Sequence, residues 1–169
     1  EIDDLADRWY KALDVHAPVE ELHAMLLDDG NEMLWPEGPT HGHKEFTGWY
    51  DRVTRLFFDE VHTLKKVEPK IDGDSADVEV VVNWQAKTWN PPEPKSKWLG
   101  FDAYQTWQVV RSPETGKAVI KHYAVDNLDP ATNANVISRG IVGSKGDRPT
   151  VASPLLKHVY DLGTGACFD

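Results

Sequence analysis

The spacing of hydrophobic residues changes once along the chain, from a helical period before about residue 60 to strict alternation after it. Apolar residues at helical spacing predict three helices, over residues 2–14, from Pro18 to about residue 27, and over His43–Asp59. Proline suits the first helical position, and the Asp-Asp-Gly run at residues 28–30 would end the second helix. Residues 37–42 are rich in glycine and proline and are predicted to form a loop.

Alternation of apolar and polar residues predicts strands, because successive side chains of a strand point to opposite faces of a sheet. The clearest run has a small apolar or aromatic residue at every second position from Ala76 to Ala86. Turn residues separate the long runs, so neighbouring strands are expected to pair as antiparallel hairpins. The predicted strands cover residues 32–36, 61–71, 76–86, 98–111 and 117–128.

Helices followed by hairpin-linked strands define an α+β fold with a mostly antiparallel sheet. Long antiparallel strands twist and coil, so three helices packed on one face of the sheet would leave a conical space. The expected architecture is therefore a conical roll over residues 1–130, in which the curved sheet and the helices enclose a cavity. Concavities of this kind commonly hold small ligands.

Residues 131–169 have a different character, since they open with small and polar residues. Only the stretch 153–163 suggests an element, a short helix begun by a Ser-Pro pair and ended by glycine. We expect this C-terminal extension to cover a sheet edge or a dimer partner, because open edges need protection. The alternative is a lid over the mouth of the pocket.

The 169 residues carry a formal net charge of −10 and one cysteine, Cys167. The acidic balance argues against nucleic acid and anionic membranes as partners, because both attract basic surfaces. A single cysteine allows no internal disulfide and fits a reducing compartment. The sequence has neither an apolar run of the roughly 20 residues that span a bilayer nor a leader pattern at Glu1. We therefore expect a cytoplasmic protein.

Two ionisable residues stand where this fold would bring helix and sheet together. Asp14 closes the first predicted helix and His62 opens the first long strand, so the two would face each other across the cavity. A carboxyl and an imidazole in an apolar cavity can move protons without metal or cofactor, because burial shifts such groups toward neutral pKa values. The ordinary alternatives are a helix cap for the aspartate and an exposed strand end for the histidine.

The order of elements, ending in GKAVIKHYAVDNLDP at residues 116–130, resembles the nuclear transport factor 2-like superfamily in its SnoaL-like branch. The resemblance covers about residues 5–130 and implies a conical roll around an apolar cavity. Within the branch, the layout of ALDVHAPVEELHAMLLDDGNEML and of FDEVHTLKKV is similar to that of scytalone dehydratase and bile-acid dehydratase-like enzymes.

This resemblance implies catalytic roles for Asp14 and His62, and implies that Tyr10, one turn before Asp14, polarises a substrate oxygen. A buried core position with a satisfied hydroxyl is the alternative for Tyr10. The resemblance also implies a homo-oligomer, a dimer formed through the outer face of the sheet. The chain departs from scytalone dehydratase in VVVNWQAKTW, where Asn83 and Gln85 stand in place of a second histidine, so the reaction itself stays open.

Further side chains are candidates for the cavity wall. Tryptophans occur in nearly every predicted element, and those that reach the cavity would favour a flat, ring-containing substrate through stacking. For the polar candidates, the alternative is the solvated face of the sheet. The predicted substrate-binding residues are Trp35, Tyr50, Asn83, Tyr104, His122 and Asp126.

Neither a metal nor a cofactor is predicted. His41 and His43, with Glu45 close behind, straddle a loop and a helix start, and further ligands at diagnostic spacing are missing. The spaced glycines at 140, 143 and 146 lack the strand–turn–helix context of a dinucleotide site. Cys167 has no basic neighbour in the sequence that would activate its thiol.

The sequence therefore favours a cofactor-independent enzyme that performs acid/base chemistry on a hydrophobic, aromatic or polycyclic, oxygenated small molecule. Dehydration, isomerisation, cyclisation and carbon–carbon cleavage are all compatible with these groups. Two alternatives use the same fold: a non-catalytic small-molecule binding module, and a structural subunit of a larger assembly whose cavity is filled by its own aromatic side chains.

Overall fold

The computed structural model of the chain describes residues 1–36, 38–126, 141–152, 158–164 and 166–168. They form two compact units, Glu1–Val125 and Asp126–Asp169. The division suggested by the sequence, after residue 130, lies a few residues further along the chain. In the described parts of the chain, none of the helices has the length and hydropathy to cross a membrane.

The first unit contains the three helices that the apolar spacing predicts. The first one carries Asp3 and Asp4 in its first turn and Lys11 in its last, which complements the helix dipole. The second begins after Pro18, which is the N-cap residue and not the first helical residue, and it is shorter than predicted. The third ends before Phe57, where the backbone becomes extended. The helices are α1 (Ile2–Asp14), α2 (Val19–His23) and α3 (Gly42–Leu56).

Six strands of the first unit form one sheet in the order β2-β1-β6-β5-β4-β3. All neighbours pair antiparallel except β1 and β6, which are parallel. Register shifts in β3 and between β5 and β6 mark bulges, which bend strands and increase their twist. The strands are β1 (Glu32–Trp35), β2 (Gly38–His41), β3 (Phe57–Asp72), β4 (Ser75–Thr88), β5 (Lys97–Arg111) and β6 (Ala118–Val125).

The predicted loop over residues 37–42 was wrong, because Gly38–His41 forms the edge strand β2. It pairs with β1 from Glu32 opposite His41 to Trp35 opposite Gly38. Proline is tolerated at position 39 because an edge strand need not donate every backbone N–H. Pairing with β1 thus overrides a composition that is typical of turns.

The hydrophobic core lies between the helices and one face of the sheet. Trp9 of α1 and Phe46 of α3 are fully buried there, 5.8 Å apart between ring centroids. From the sheet, Val78, Val80 and Val82 point to the same side at every second position of β4. The expected α+β roll, with three helices on a curved and mostly antiparallel sheet, is therefore confirmed.

The second unit contains a three-stranded antiparallel sheet in the order β7-β8-β9. Its strands are β7 (Ile141–Lys145), β8 (Arg148–Ala152) and β9 (Val159–Asp161). The helix predicted for residues 153–163 is wrong at residues 159–161, where Tyr160 pairs with Val151 across the sheet. Residues 153–157 of that prediction lie outside the described residues.

Candidate active site

The first unit has an apolar cavity of about 350 Å³ between the helices and the concave face of the sheet. This volume falls within the range of small-molecule pockets. Trp35 and Trp49 stack face to face in its wall, 3.6 Å apart between ring centroids. Of the aromatic residues predicted for substrate binding, Trp35 and Tyr50 lie in this wall. Its aromatic side chains are Trp35, Trp49, Tyr50, Phe57, Trp84, Phe101 and Tyr123.

Asp14 and His62 are in direct contact. Asp14 is the last residue of α1, and its Oδ1 lies 2.6 Å from His62 Nδ1 and 2.9 Å from the His62 backbone nitrogen in β3. His62 lines the cavity and its side chain is 9% exposed, whereas Asp14 is 25% exposed and lies behind the ring. The expectation that the two face each other across the cavity is therefore corrected, since only the imidazole reaches it.

This contact determines which nitrogen of His62 is available. An ionised carboxylate only accepts hydrogen bonds. Nδ1 of His62 therefore carries a hydrogen, and this N–H donates a hydrogen bond to Asp14. The other ring nitrogen, Nε2, is then an acceptor, and no described residue hydrogen bonds to it. The geometry leaves His62 able to take a proton from a molecule in the cavity.

Tyr10 lies beneath the cavity and not in its wall. Its ring stacks on that of His62 at 5.0 Å, and its hydroxyl donates to Gln105 Oε1 at 2.6 Å. Burial, together with the nearby Tyr123, raises the pKa of Tyr10 well above its usual value, so the hydroxyl stays neutral. The structure gives Tyr10 a partner other than substrate, and it is Gln105 that lines the cavity.

The polar candidates of the sheet lie on its other face, so their placement in the cavity was wrong. Asn83 alternates with Val82 and Trp84, which line the cavity, and donates to Asp102 at 2.7 Å. His122 pairs with Glu32 at 3.0 Å. Successive side chains of a strand point to opposite faces of the sheet. The polar residues that alternate with the apolar cavity residues therefore lie on the face away from the cavity.

Two further candidates are also outside the cavity wall. Tyr104 is 38% exposed and shares the face of Asp102. Tyr104 therefore faces away from the wall that contains His62. Asp126 follows the end of β6 and lies outside the first unit.

Glu60 is a cavity residue that the sequence reading missed. Its side chain is 10% exposed, its Oε1 lies 2.9 Å from His16 Nε2, and its Oε2 accepts a hydrogen bond of 2.9 Å from Trp84 Nε1. The signal was present, because Glu60 precedes His62 by two residues and therefore shares its face of the strand.

Tyr50 shows the electrostatic effect of this carboxylate. Burial raises the pKa of Tyr50 to about 12, and the nearby charges of Glu60 and Glu21 act in the same direction. Its hydroxyl donates to the Ala17 carbonyl at 2.8 Å. Tyr50 therefore contributes a neutral ring to the wall.

His41 contacts carboxylate side chains, and His43 stacks on another imidazole. His41 Nε2 lies 3.1 Å from Glu32 Oε1, and His41 Nδ1 lies 3.5 Å from Glu45 Oε2. His43 stacks on His23 at 4.3 Å between ring centroids. Within the described ranges, no group of three or more histidine, cysteine or carboxylate side chains could hold a metal ion.

Solved structures with this fold place the chain in a recognisable class: it has the nuclear transport factor 2-like fold. An NTF2-like superfamily protein from Salmonella enterica superposes with a TM-score of 0.66 at 14% identity, over 75% of this chain and 87% of that one. A proposed scytalone dehydratase from Novosphingobium aromaticivorans superposes with a TM-score of 0.62 at 18% identity, over 74% of this chain and 80% of that one. A proposed aromatic ring hydroxylase from the same organism superposes with a TM-score of 0.65 at 16% identity, over 76% of this chain and 87% of that one. The resemblance to this superfamily is confirmed at the level of fold.

Sequence similarity identifies a different relationship for the C-terminal part. Residues 107–169 match the family described as Rieske-like [2Fe-2S] domain, and the match begins within β5. Nitrite reductase [NAD(P)H] large subunit of Klebsiella oxytoca is 51% identical over 43 residues, 25% of this chain and 4% of that protein. Nitrite reductase (NADH) small subunit of Salmonella typhimurium is 38% identical over 47 residues, which are 28% of this chain and 44% of that protein. The chain thus spans less than half the length of these curated relatives.

The side chains present do not fit a Rieske cluster. Such a cluster is held by two cysteines and two histidines. The sequence contains one cysteine, Cys167, which is exposed, and its matched segment contains two histidines, His122 and His158. His122 is paired with Glu32 on the first sheet. The residues present therefore do not supply the two cysteines that such a cluster requires.

Proposed function

We propose that the first unit is a cofactor-independent enzyme that performs proton transfer on a hydrophobic, ring-containing, oxygenated small molecule. The observation that carries this proposal is the contact between Asp14 and His62, because it leaves His62 Nε2 free at the wall of an aromatic cavity. One structural neighbour is described as a proposed scytalone dehydratase, and loss of water is a proton-transfer reaction, which supports this class of chemistry. Another is described as a proposed aromatic ring hydroxylase, which supports only a ring-containing substrate.

His62 is the base of this mechanism and Asp14 its positioning residue. Asp14 accepts from both Nδ1–H and the backbone N–H of His62, so it fixes the ring orientation and stabilises the imidazolium that forms. A well-placed base of this kind contributes about 10²–10⁴ in rate. The aromatic walls hold a planar substrate by offset and edge-to-face stacking, which favours rings over flexible chains.

Gln105 is the group that contacts a substrate oxygen in this proposal. Its Oε1 is occupied by Tyr10 O–H at 2.6 Å and Trp107 Nε1–H at 3.0 Å, which orients its amide nitrogen. Tyr10 therefore acts through Gln105 and through stacking on His62, and takes no proton itself. The amide N–H donates to a carbonyl or hydroxyl oxygen in the cavity.

Deuterium exchange tests the proposal without knowledge of the natural substrate. Aryl ketones and hydroxyketones of one to three rings are incubated with the protein in D₂O, and deuterium uptake beside the carbonyl is followed by NMR. We expect uptake with the wild-type chain and its loss in His62→Gln. His122→Gln is the matched control, because His122 also pairs with a carboxylate but lies outside the cavity. Binding without uptake would support a non-catalytic binding module instead.

A second function is favoured for the second unit by the Rieske-like family match over residues 107–169, together with the similarity of the chain to nitrite reductase subunits. From this similarity we infer that this unit is an assembly module that attaches the chain to a larger redox enzyme. Strand β7 supports this inference, since it is an edge strand with Ile141 74% and Val142 70% exposed.

Sedimentation of the full chain mixed with a purified NAD(P)H nitrite reductase large subunit tests this inference. We expect a faster-sedimenting species that is lost in Ile141→Lys, which places a charge on the edge strand. Ile71→Lys is the matched control, because Ile71 is 70% exposed and lies in the first unit. Unchanged sedimentation of the wild-type mixture would contradict the assembly role.

A further inference from the structure

We propose that Glu60, supported by His16, is a second proton carrier of the cavity, which gives a proton to the substrate while His62 removes one. This inference rests on the proposed proton-transfer function of the first unit and adds a residue and a division of roles to it. It narrows the reaction to those that need two separate proton transfers, of which elimination of water is the simplest.

The argument begins with two imidazole–carboxylate pairs that are arranged in opposite senses. In the first pair the imidazole of His62 lines the cavity and the carboxylate of Asp14 lies behind it. In the second pair the carboxylate of Glu60 lines the cavity and the imidazole of His16 lies behind it. The cavity wall therefore presents one basic nitrogen and one carboxyl group, each held by a partner of the other kind.

The backbone explains how both pairs arise together. Glu60 and His62 are two residues apart on β3, so their Cα atoms are about 7 Å apart and their side chains share a face. Asp14 and His16 are likewise two residues apart, at the end of α1 and just beyond it. A single approach of the α1 terminus to the start of β3 thus forms both contacts.

Local backbone features mark the same place. A register shift between Phe58 and Val61 interrupts the pairing of β3 with β4, and Asp59 within it has a φ of 51°. His16 has a φ of 49°. Residues other than glycine rarely adopt this region, and bulges often redirect a side chain beside an active site. Both unusual positions serve to place Glu60 and His16 against each other.

Glu60 has the capacity to bind substrate as well as its two protein partners. The two oxygens of a carboxyl group offer about four hydrogen-bonding positions, one of which is an O–H donor when the group is protonated. His16 Nε2 and Trp84 Nε1 occupy one on each oxygen. The rings of Phe57 and Phe101 pack on Trp84 at 5.2 and 5.1 Å, which keeps this side of the carboxylate apolar. A substrate hydroxyl in the cavity can therefore hydrogen bond to Glu60.

The proton balance of an elimination follows from this arrangement. His62 Nε2 takes a proton from the carbon beside a carbonyl, and the C–H electron pair forms the new double bond. The C–O bond breaks with its electron pair on oxygen, which takes the proton held by the Glu60–His16 pair and leaves as water. His16, 29% exposed, returns a proton to Glu60 from solvent, and His62 releases its proton to water.

Two readouts on one compound test the division of roles. The probe is a cyclic aryl β-hydroxyketone, for which deuterium uptake beside the carbonyl and loss of water are measured separately. In Glu60→Gln we expect uptake within about threefold of wild type and water loss reduced by at least about 10²-fold. In His62→Gln both should be lost. Asparagine tolerates the positive φ of position 16, so His16→Asn is expected to fold. Its rate of water elimination should decrease by less than that of Glu60→Gln.

Glu60→Gln is expected to fold, because the amide can accept from Trp84 and donate to His16 once the imidazole changes tautomer. Asp59→Asn is the matched control, since Asp59 is the adjacent carboxylate and pairs with Lys87 at 2.8 Å outside the cavity. Parallel loss of both readouts in Glu60→Gln, or loss of neither, would overturn the role of Glu60. Absence of uptake with the wild-type chain would instead overturn the proposed function and this inference with it.

Discussion

The two faces of the six-stranded sheet carry the same kind of polar pair in different surroundings. On the inner face His62 and Asp14 have side chains 9% and 25% exposed, beside an aromatic cavity. On the outer face His122 and Glu32 are 33% and 41% exposed, in a surface that also carries the ion pair of Lys65 and Asp102. An imidazole–carboxylate pair is thus no signal of function by itself. Only where water is excluded do its charges act strongly on a bound molecule.

The largest expected difference between the faces concerns stability. Trp107 is fully buried and packs 5.3 Å from Tyr123, whereas Trp98 is 60% exposed. Trp107→Ala should lower the free energy of unfolding by about 3–5 kcal/mol, because it leaves a cavity in the core. Trp98→Ala should change it by less than about 0.5 kcal/mol. Urea denaturation followed by circular dichroism measures both, and similar losses would contradict the assignment of faces.

The next difference concerns the positioning role of Asp14. Asp14→Asn should slow deuterium uptake by up to about 10²-fold, because a misoriented imidazole no longer directs Nε2 at the substrate. Glu32→Gln, which removes the carboxylate of the outer pair, should leave the rate unchanged. Exchange measured on one aryl ketone compares the two variants. If both slowed it equally, the effect would be one of folding and not of position.

A smaller difference is expected for two tyrosine hydroxyls. Tyr10→Phe removes a buried hydrogen bond to Gln105, and should cost about 1 kcal/mol of unfolding free energy. Tyr104→Phe, on the outer face, should cost less than about 0.5 kcal/mol. Chemical denaturation under identical conditions gives both values. A neutral Tyr10→Phe would mean that the hydroxyl adds nothing to the orientation of Gln105.

The smallest expected effect is a pH dependence in the helix layer. Burial lowers the pKa of His23, and the neighbouring His43 lowers it further. The unfolded chain, with an ordinary histidine pKa near 6.5, then binds a proton more readily than the folded one. Stability should therefore fall as the pH decreases below about 6.5, until the folded pKa is passed.

Thermal unfolding between pH 7.5 and 5 checks this effect. His23→Gln should flatten the pH dependence, because the glutamine side chain does not titrate. His41→Gln is the control, since His41 is 57% exposed. A slope that is unchanged in His23→Gln would assign the effect to other groups.

The sequence predicted the inner face better for apolar residues than for polar ones. Trp35 and Tyr50 lie at the cavity wall, because strand and helix periods fix the side on which a large apolar residue lies. Their substrate-binding role stays a prediction. The sequence interpretation expected a cavity lined by polar groups, and it wrongly placed three residues there: Asn83, Tyr104 and His122. Their side chains alternate with those of the cavity residues and therefore lie on the solvent-facing side of the sheet. Glu60 was missed because the predicted strand began at residue 61, whereas β3 begins at Phe57, so no strand period assigned a face to Glu60.

The contact of Asp14 with His62 could be anticipated only in outline. The pattern located one at a helix end and the other near a strand start, and the resemblance linked them. The chain positions 14 and 62 are too far apart for any local rule to give their 2.6 Å contact. The strands at residues 38–41 and 159–161 were likewise not predicted. Pairing with a neighbouring strand outweighs the local composition of these residues.

The sequence by itself determined the order of helices and strands in the first unit, its α+β class, and the apolar stripes that form its core. These follow from short-range periodicity, which every residue satisfies with its neighbours in the chain. Only the tertiary structure decided that His62 and Glu60 face the cavity with Asp14 and His16 behind them. That outcome depends on how a bulge and two unusual backbone turns bring the end of α1 against β3, and such long-range geometry leaves no period in the sequence.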